Sequence, residues 1–206
     1  IDTDDDDSDS YEEGLADTSD SDPTQRPYWW KTFNGDEGDF FGQSVSGAGD
    51  VNGDGRADLI VGAPRDDTNG TDSGYARVLS GVDGSILYTF NGDSAVDQLG
   101  ESVSDAGDVN GDGFADLIVG TSSGYVRVFS GQNGSILYTF NIGNQSQYGG
   151  PRVSGAGDVD GDGHADLIVG ATDDNNGADS GSARVFSGQD GSILYTFNGD
   201  SAVDQL

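Results

Sequence analysis

The chain has 206 residues, with 38 Asp and Glu against 8 Lys and Arg and a formal net charge of −30. That balance excludes nucleic acid and anionic lipid as partners, since binding by counterion release needs clustered Lys and Arg; it points to metal cations or basic surfaces. Cys and Met are both absent, which excludes disulfides, thiol catalysis and zinc–thiolate centres, and no apolar run reaches the roughly 20 residues of a membrane-spanning helix. With 33% hydrophobic residues and 35 Gly, short strands joined by tight turns fit better than long helices. The sequence begins at Ile1 rather than Met, the expectation for a removed leader or for a piece of a longer protein.

Residues 1–26 form an acidic opening segment. Within it, "DTDDDDSDSYEE" (2–13) places Asp2, Asp4, Asp6, Ser8, Ser10 and Glu13 at positions one, three, five, seven, nine and twelve of a twelve-residue calcium loop. The stretch resembles the thrombospondin type 3 and EF-hand-like repeats of bacterial surface proteins, with Asp7 where Gly is expected and Ser10 where Asp is usual. The alternative for such a charge run is an acidic linker that holds no metal. "YWWKTFNGD" (28–36) follows and aligns with "ILYTFNGD" (86–93), so Trp29 and Trp30 read as core residues of a strand.

From there to Leu206 the chain is a repeat. "SGVDGSILYTFNGDSAVDQLG" (80–100) returns as "SGQNGSILYTFNIGNQSQYGG" (130–150) and "SGQDGSILYTFNGDSAVDQL" (187–206). Each unit reads as four strands. In the first they are 43–48, 58–62, 74–80 and 85–90, with Asp83-Gly84, Asn133-Gly134 and Asp190-Gly191 expected as primed hairpin turns. The second strand, "DLIVG", is apolar on both faces, as suits a strand covered from both sides. Units of about 50 residues with four antiparallel strands give an all-β fold of β-propeller-type blades, another solenoid being the alternative. The expected blades are 34–90, 91–140 and 141–197, with a further unit starting at 198–206. Three blades are too few for a closed ring, so the sequence reads as an open arc or as part of a larger propeller.

The most regular feature is the loop between strands one and two. "GDVNGDGRADLIVGA" (49–63) recurs at Gly107 and Gly157. Asp50, Asn52, Asp54 and Asp58 offer side-chain oxygens at positions one, three, five and nine, and the Arg56 carbonyl can point inward at position seven. Such a set of hard oxygens suits Ca²⁺ better than Mg²⁺, which demands strict octahedral geometry. The second loop supplies Asp108, Asn110, Asp112, Phe114 (carbonyl) and Asp116; the third supplies Asp158, Asp160, Asp162, His164 (carbonyl) and Asp166. The alternative for any one loop is an ion-free Asx–Gly turn; three copies with every ligand position kept favour calcium. His164, the one histidine, is expected to point into solvent.

Phe41-Gly42, the DxNxDGxxD loop and Gly62-Ala63-Pro64 resemble the FG-GAP repeat of integrin α-chain propellers and of many secreted bacterial proteins. The resemblance spans 33–206 and implies a calcium ion stiffening each loop on one side of a propeller. Leu99-Gly100 and Tyr148-Gly149 depart from Phe-Gly, and Thr121-Ser122 and Ala171-Thr172 from Ala-Pro.

The expected function is that of a calcium-binding protein of the cell surface or extracellular space, acting in adhesion or as a fibre or matrix subunit that associates with itself. The alternative is a fragment of a larger secreted propeller that recognises a protein or glycan. Asn69, Asn133 and Asn144 lie in glycosylation sequons. An enzyme fits poorly: there is no Cys, one His, no G-x-S-x-G elbow, and the carboxylates are needed as metal ligands.

Overall fold

A computed structural model of the chain describes residues 32–143, 150–171 and 181–199. The acidic segment, Trp29, Trp30, Asn144 and residues 200–206 of the further unit lie outside the described residues. The strands belong to a compact unit, Asn34–Leu206. In chain order they are β1 (Ser44–Gly49), β2 (Asp58–Ala63), β3 (Tyr75–Leu79), β4 (Ile86–Asn91), β5 (Ser102–Gly107), β6 (Asp116–Gly120), β7 (Tyr125–Phe129), β8 (Ile136–Asn141), β9 (Arg152–Gly157), β10 (Asp166–Ala171), β11 (Ser182–Phe186) and β12 (Ile193–Asn198).

They form three antiparallel sheets in sequential order, β1-β2-β3-β4, β5-β6-β7-β8 and β9-β10-β11-β12. Each sheet has the four antiparallel strands expected of a repeat unit. The apolar run Leu59-Ile60-Val61 and its copies, rich in β-branched residues, hold the second strand in each sheet, where Val61 pairs with Val45 on one side and Arg77 on the other. A register shift recurs in the first pairing of every blade, just before the acidic loop, between Gly47 and Gly49 in the first.

Alternation along the strands sends neighbouring side chains into two different cores. Ile60, Ala76, Val78 and Phe90 of the first blade pack with Val103, Leu117, Val119 and Phe129 of the second. The other face of that second blade, Ile118, Val126 and Val128, packs with Leu167, Val169 and Phe186 of the third. A sheet covered on both faces has no polar side, which is why β6 reads as unbroken apolar sequence after Asp116. Each junction is locked by stacked rings: Phe90 on Phe129 at 3.9 Å and Phe140 on Phe186 at 4.3 Å between centroids. The first strands also neighbour one another, β1 beside β5 and β5 beside β9.

The hairpins between third and fourth strands differ from the expected primed turns. A type I′ turn needs positive φ at both central residues, yet only the glycines adopt it, Gly84 at 66°, Gly134 at 71° and Gly191 at 73°. The Asx side chain instead accepts a backbone N–H two residues on, as from Asn133 to Ser135 at 2.9 Å, making an Asx turn. At the opposite end, Phe40 and Gln98 both take left-handed φ, 57° and 52°. The N–H groups of Gly42 and Gly100 then reach the carbonyls of Gly62 and Gly120. Leu99-Gly100 therefore makes the same turn as Phe41-Gly42, and the Leu-for-Phe departure leaves it intact.

Candidate metal loops

Each acidic loop begins where its blade's first strand ends, and its shape comes from its own first carboxylate. In the first loop Asp50 Oδ1 accepts the N–H groups of Gly53 (2.8 Å) and Asp54 (3.1 Å), and Oδ2 accepts that of Gly55 (2.8 Å). Asp108 and Asp158 repeat all three bonds in their loops. Gly53 and Gly55 must turn left-handed to present these N–H groups, with φ of 73° and 84°. Asn52 and Asp54 each accept from the residue two further on, at Asp54 and Arg56. The backbone is thus wound around position one, with the side chains of positions three and five drawn to the same loop.

Position nine has a second task. Asp58, Asp116 and Asp166 are fully buried, and each carboxylate spans two segments. Asp58 Oδ2 accepts from Val51 and Oδ1 from Gly81, at 3.0 and 2.9 Å. Asp116 bonds Val109, Asn110 and Gly131, and Asp166 bonds Val159 and Gly188. The acidic loop is thereby tied to the turn after the third strand. Sequence reading took these residues as ligands only and assigned no role to Gly81, Gly131 or Gly188. At Gly188 any side chain would run into the Ala165 backbone, 2.9 Å from its carbonyl carbon.

The carboxylates are crowded. Burial, opposed by the three N–H bonds and assisted by the charge of Asp112, pushes Asp116 up to about 6. Desolvation first, then the like charges of Asp162, Asp166 and Asp158, holds Asp160 above the usual carboxylate range. Among the described residues, one acidic triad converges closely enough for a shared cation: oxygens of Asp158, Asp160 and Asp166 lie within 4.8 Å of one another. Asp162 of the same loop is outside that triad. In the second loop the Asn110 amide donates to Asp112 at 3.0 Å. An all-oxygen donor set of carboxylates, one amide oxygen and a carbonyl is that of a hard divalent cation, and the residues present fit one.

The position-seven side chains do not all face water. Arg56 is exposed, but Phe114 lies over Gly53, and His164 is half-buried with Nδ1 2.9 Å from the Val109 carbonyl. The expectation that His164 points into solvent is therefore corrected: its partner sits in the preceding blade. Of the sequons, Asn69 is exposed but uses its amide nitrogen to donate to the Gly92 carbonyl at 3.1 Å.

A fold of stacked four-stranded blades, each opening on a glycine-wound carboxylate loop, defines a repeat protein of the β-propeller type. Two family models match parts of the chain, the FG-GAP repeat over residues 41–79 and an FG-GAP-like repeat over 108–169, so these stretches carry FG-GAP-type repeats of the kind found in integrin α chains. It is 38% identical to Integrin alpha-5 of Xenopus laevis over 80 residues, 39% of this chain and 7% of that protein. It is 36% identical to Integrin alpha-4 of Xenopus laevis over 86 residues, 40% of this chain and 8% of that protein. The matched region is less than a tenth of the length of either relative. Among solved structures, rhamnogalacturonan lyase YesW is similar with a TM-score of 0.47 and 19% identity, over 77% of this chain and 35% of that one. No helix among the described residues is long and apolar enough to cross a membrane.

Proposed function

We propose that the chain is a calcium-binding, adhesion-type protein of the cell surface or extracellular space, non-enzymatic, whose loops hold Ca²⁺ and present a stiffened repeat surface to a protein partner. The observation that carries the reading is the threefold recurrence of one loop geometry on a chain of net charge −30. Likeness to integrin α chains supports the adhesion class and the location. Asp50, Asp108 and Asp158 would hold an ion together with the residues at positions three, five, seven and nine of their loops; the ion supplies the positive charge that the crowded carboxylates lack. The chain's own part is to wind each loop around its first carboxylate and to anchor it through the ninth. Calorimetric titration of the metal-free chain with Ca²⁺ tests this: saturable uptake by the three loops is expected, with a fourth ion if the segment 2–13 also binds, and no uptake refutes it.

A second reading, self-association into a fibre or matrix, is favoured by one contrast. Phe90 is 7% exposed beneath the next blade, whereas its counterpart Phe197 is 51% exposed and Tyr195 49%. Contiguous apolar surface of this kind marks an interaction site, and the equivalent Phe90 and Phe140 are each stacked on a ring of the following blade. Recognition of a protein or glycan by a larger secreted propeller is the alternative role, and glycans on Asn69, Asn133 and Asn144 belong with the extracellular assignment. Light scattering in Ca²⁺ separates these roles: concentration-dependent growth supports assembly, and a monomer at high concentration removes it.

A further inference from the structure

The acidic loops do not stand apart. The segment that closes one loop lies against the loop of the blade before it, at matching points in both junctions. Ala115 N–H donates to the Asp50 carbonyl at 3.4 Å, and Ala165 N–H to the Asp108 carbonyl at 2.9 Å. The Ala115 methyl fills the space a side chain at Gly49 would take, and Ala165 does so 2.7 Å from the corresponding point at Gly107. One residue earlier, the Phe114 ring edge lies 2.7 Å from where a Cβ on Gly53 would be, and the His164 ring edge 3.0 Å from that point on Gly111. His164 adds a polar hold on Val109. A following blade thus grips the preceding loop at its first residue and at the glycine that winds it, and in the second loop also at the residue between them. The third loop has no such neighbour among the described residues: its Gly157 and Gly161 meet nothing within 4 Å, and Val159 is 43% exposed where Val51 and Val109 are at 0%.

We propose that the side chain at position seven is a positioning residue for the loop of the preceding blade: Phe114 for the Asp50 loop and His164 for the Asp108 loop. The proposal rests on the calcium reading and gives it a direction. An ion that orders 158–166 also fixes His164 and Ala165, which then hold Asp108, Val109 and Gly111 in the wound shape, so the second loop loses less freedom when it binds. Affinity coupling carried by ordering in this way is reciprocal. A residue that contributes its carbonyl to one site and its side chain to the neighbouring site allows the two contributions to be separated by substitution, because replacing the side chain leaves the carbonyl in place.

The test uses the full chain and Ca²⁺ titration by calorimetry, with circular dichroism to verify the sheet. His164→Ala is expected to weaken one site about tenfold, within the 5- to 150-fold span of ordinary couplings, with unchanged stoichiometry, and His164→Phe, which copies Phe114, to restore it. The site is assigned by two backgrounds. In Asp108→Ala the His164→Ala effect should vanish, because the affected site is gone, and Asp158→Ala, which removes the ion that fixes His164, should by itself weaken the Asp108 site. A His164→Ala effect that survives in Asp108→Ala, or no effect of His164→Ala on a chain that binds its ions, overturns the proposal while leaving the calcium reading standing. A parent chain that takes up no ion overturns both.

Discussion

Blade stacking can be tested with one methylene-sized probe placed at equivalent sites. Gly62, Gly120 and Gly170 occupy the same position near the end of the second strand in each blade. A Cβ on Gly62 would collide with the Gly100 carbonyl oxygen, and it would lie 2.8 Å from that carbonyl carbon and 3.0 Å from Gly100 Cα. The obstacle is backbone, so no side-chain rotation relieves it. Forcing an added methyl into a packed site costs about 1–3 kcal/mol, and the rigid partner puts Gly62→Ala at the upper end, about 3 kcal/mol. At about 2–4 °C per kcal/mol for a chain of this size, the midpoint should fall by about 6–12 °C. Among the described residues, a Cβ on Gly170 would meet only Arg152 atoms at 3.9 and 4.0 Å, ordinary contact distances. There, Gly→Ala mainly restricts the unfolded chain, a gain of about 0.4–1 kcal/mol. Thermal and urea unfolding of both variants in Ca²⁺ decide the matter. Equal effects at Gly62 and Gly170 would refute the stacking argument.

Other outcomes follow from the same contacts. Asp97 is 8% exposed and accepts from Asp93 N–H, Ser94 N–H and Tyr125 O–H, the last from β7 at 3.0 Å; Asp97→Ala should cost about 3 kcal/mol in urea unfolding, as three bonds to a buried side chain are lost. Asp112→Ala should remove one ion from the calorimetric stoichiometry and leave the other loops loaded. The Arg127 guanidinium bonded to Asp93 holds that carboxyl below its usual range. Its stabilising effect is therefore present above the unfolded-state value and lost as pH falls through the folded one. Because the Asp93 side chain is 60% exposed, Asp93→Asn should cost under about 1 kcal/mol at pH 7, and the difference should disappear in acid unfolding below the carboxylate range.

Much of this architecture is legible in the chain because it repeats. Four short strands per unit, the apolar run at Leu59–Val61 and the three acidic loops all sit where spacing puts them. Local pattern also identifies the residues of the 83–84 turn, but not its backbone type, because Asp tolerates several turns and the Asx bond to Ser85 selects one. What sequence reading missed lies between units. His164 looks like a loop residue bound for water until Val109, 55 positions earlier, is placed beside it. Gly81 reads as turn chemistry, yet its N–H is the partner of a buried carboxylate 23 residues away. Such contacts leave no periodic trace in one strand or one loop. Comparing equivalent positions across the units offers the only signal, and there the retention of Gly81, Gly131 and Gly188 marks a shared constraint.

The central claim is that all three loops are cation sites of one kind. Diffraction from crystals grown in Ca²⁺, recorded at a wavelength where calcium scatters anomalously, tests it most directly. The expected result is an anomalous peak in each loop, coordinated by Asp50, Asn52 and Asp54, by Asp108, Asn110 and Asp112, and by Asp158, Asp160 and Asp162, with the carbonyl of Arg56, Phe114 or His164 and the buried Asp58, Asp116 or Asp166 completing each shell. Loops that keep their hydrogen-bonded winding with no peak, at Ca²⁺ concentrations that saturate binding, would contradict it.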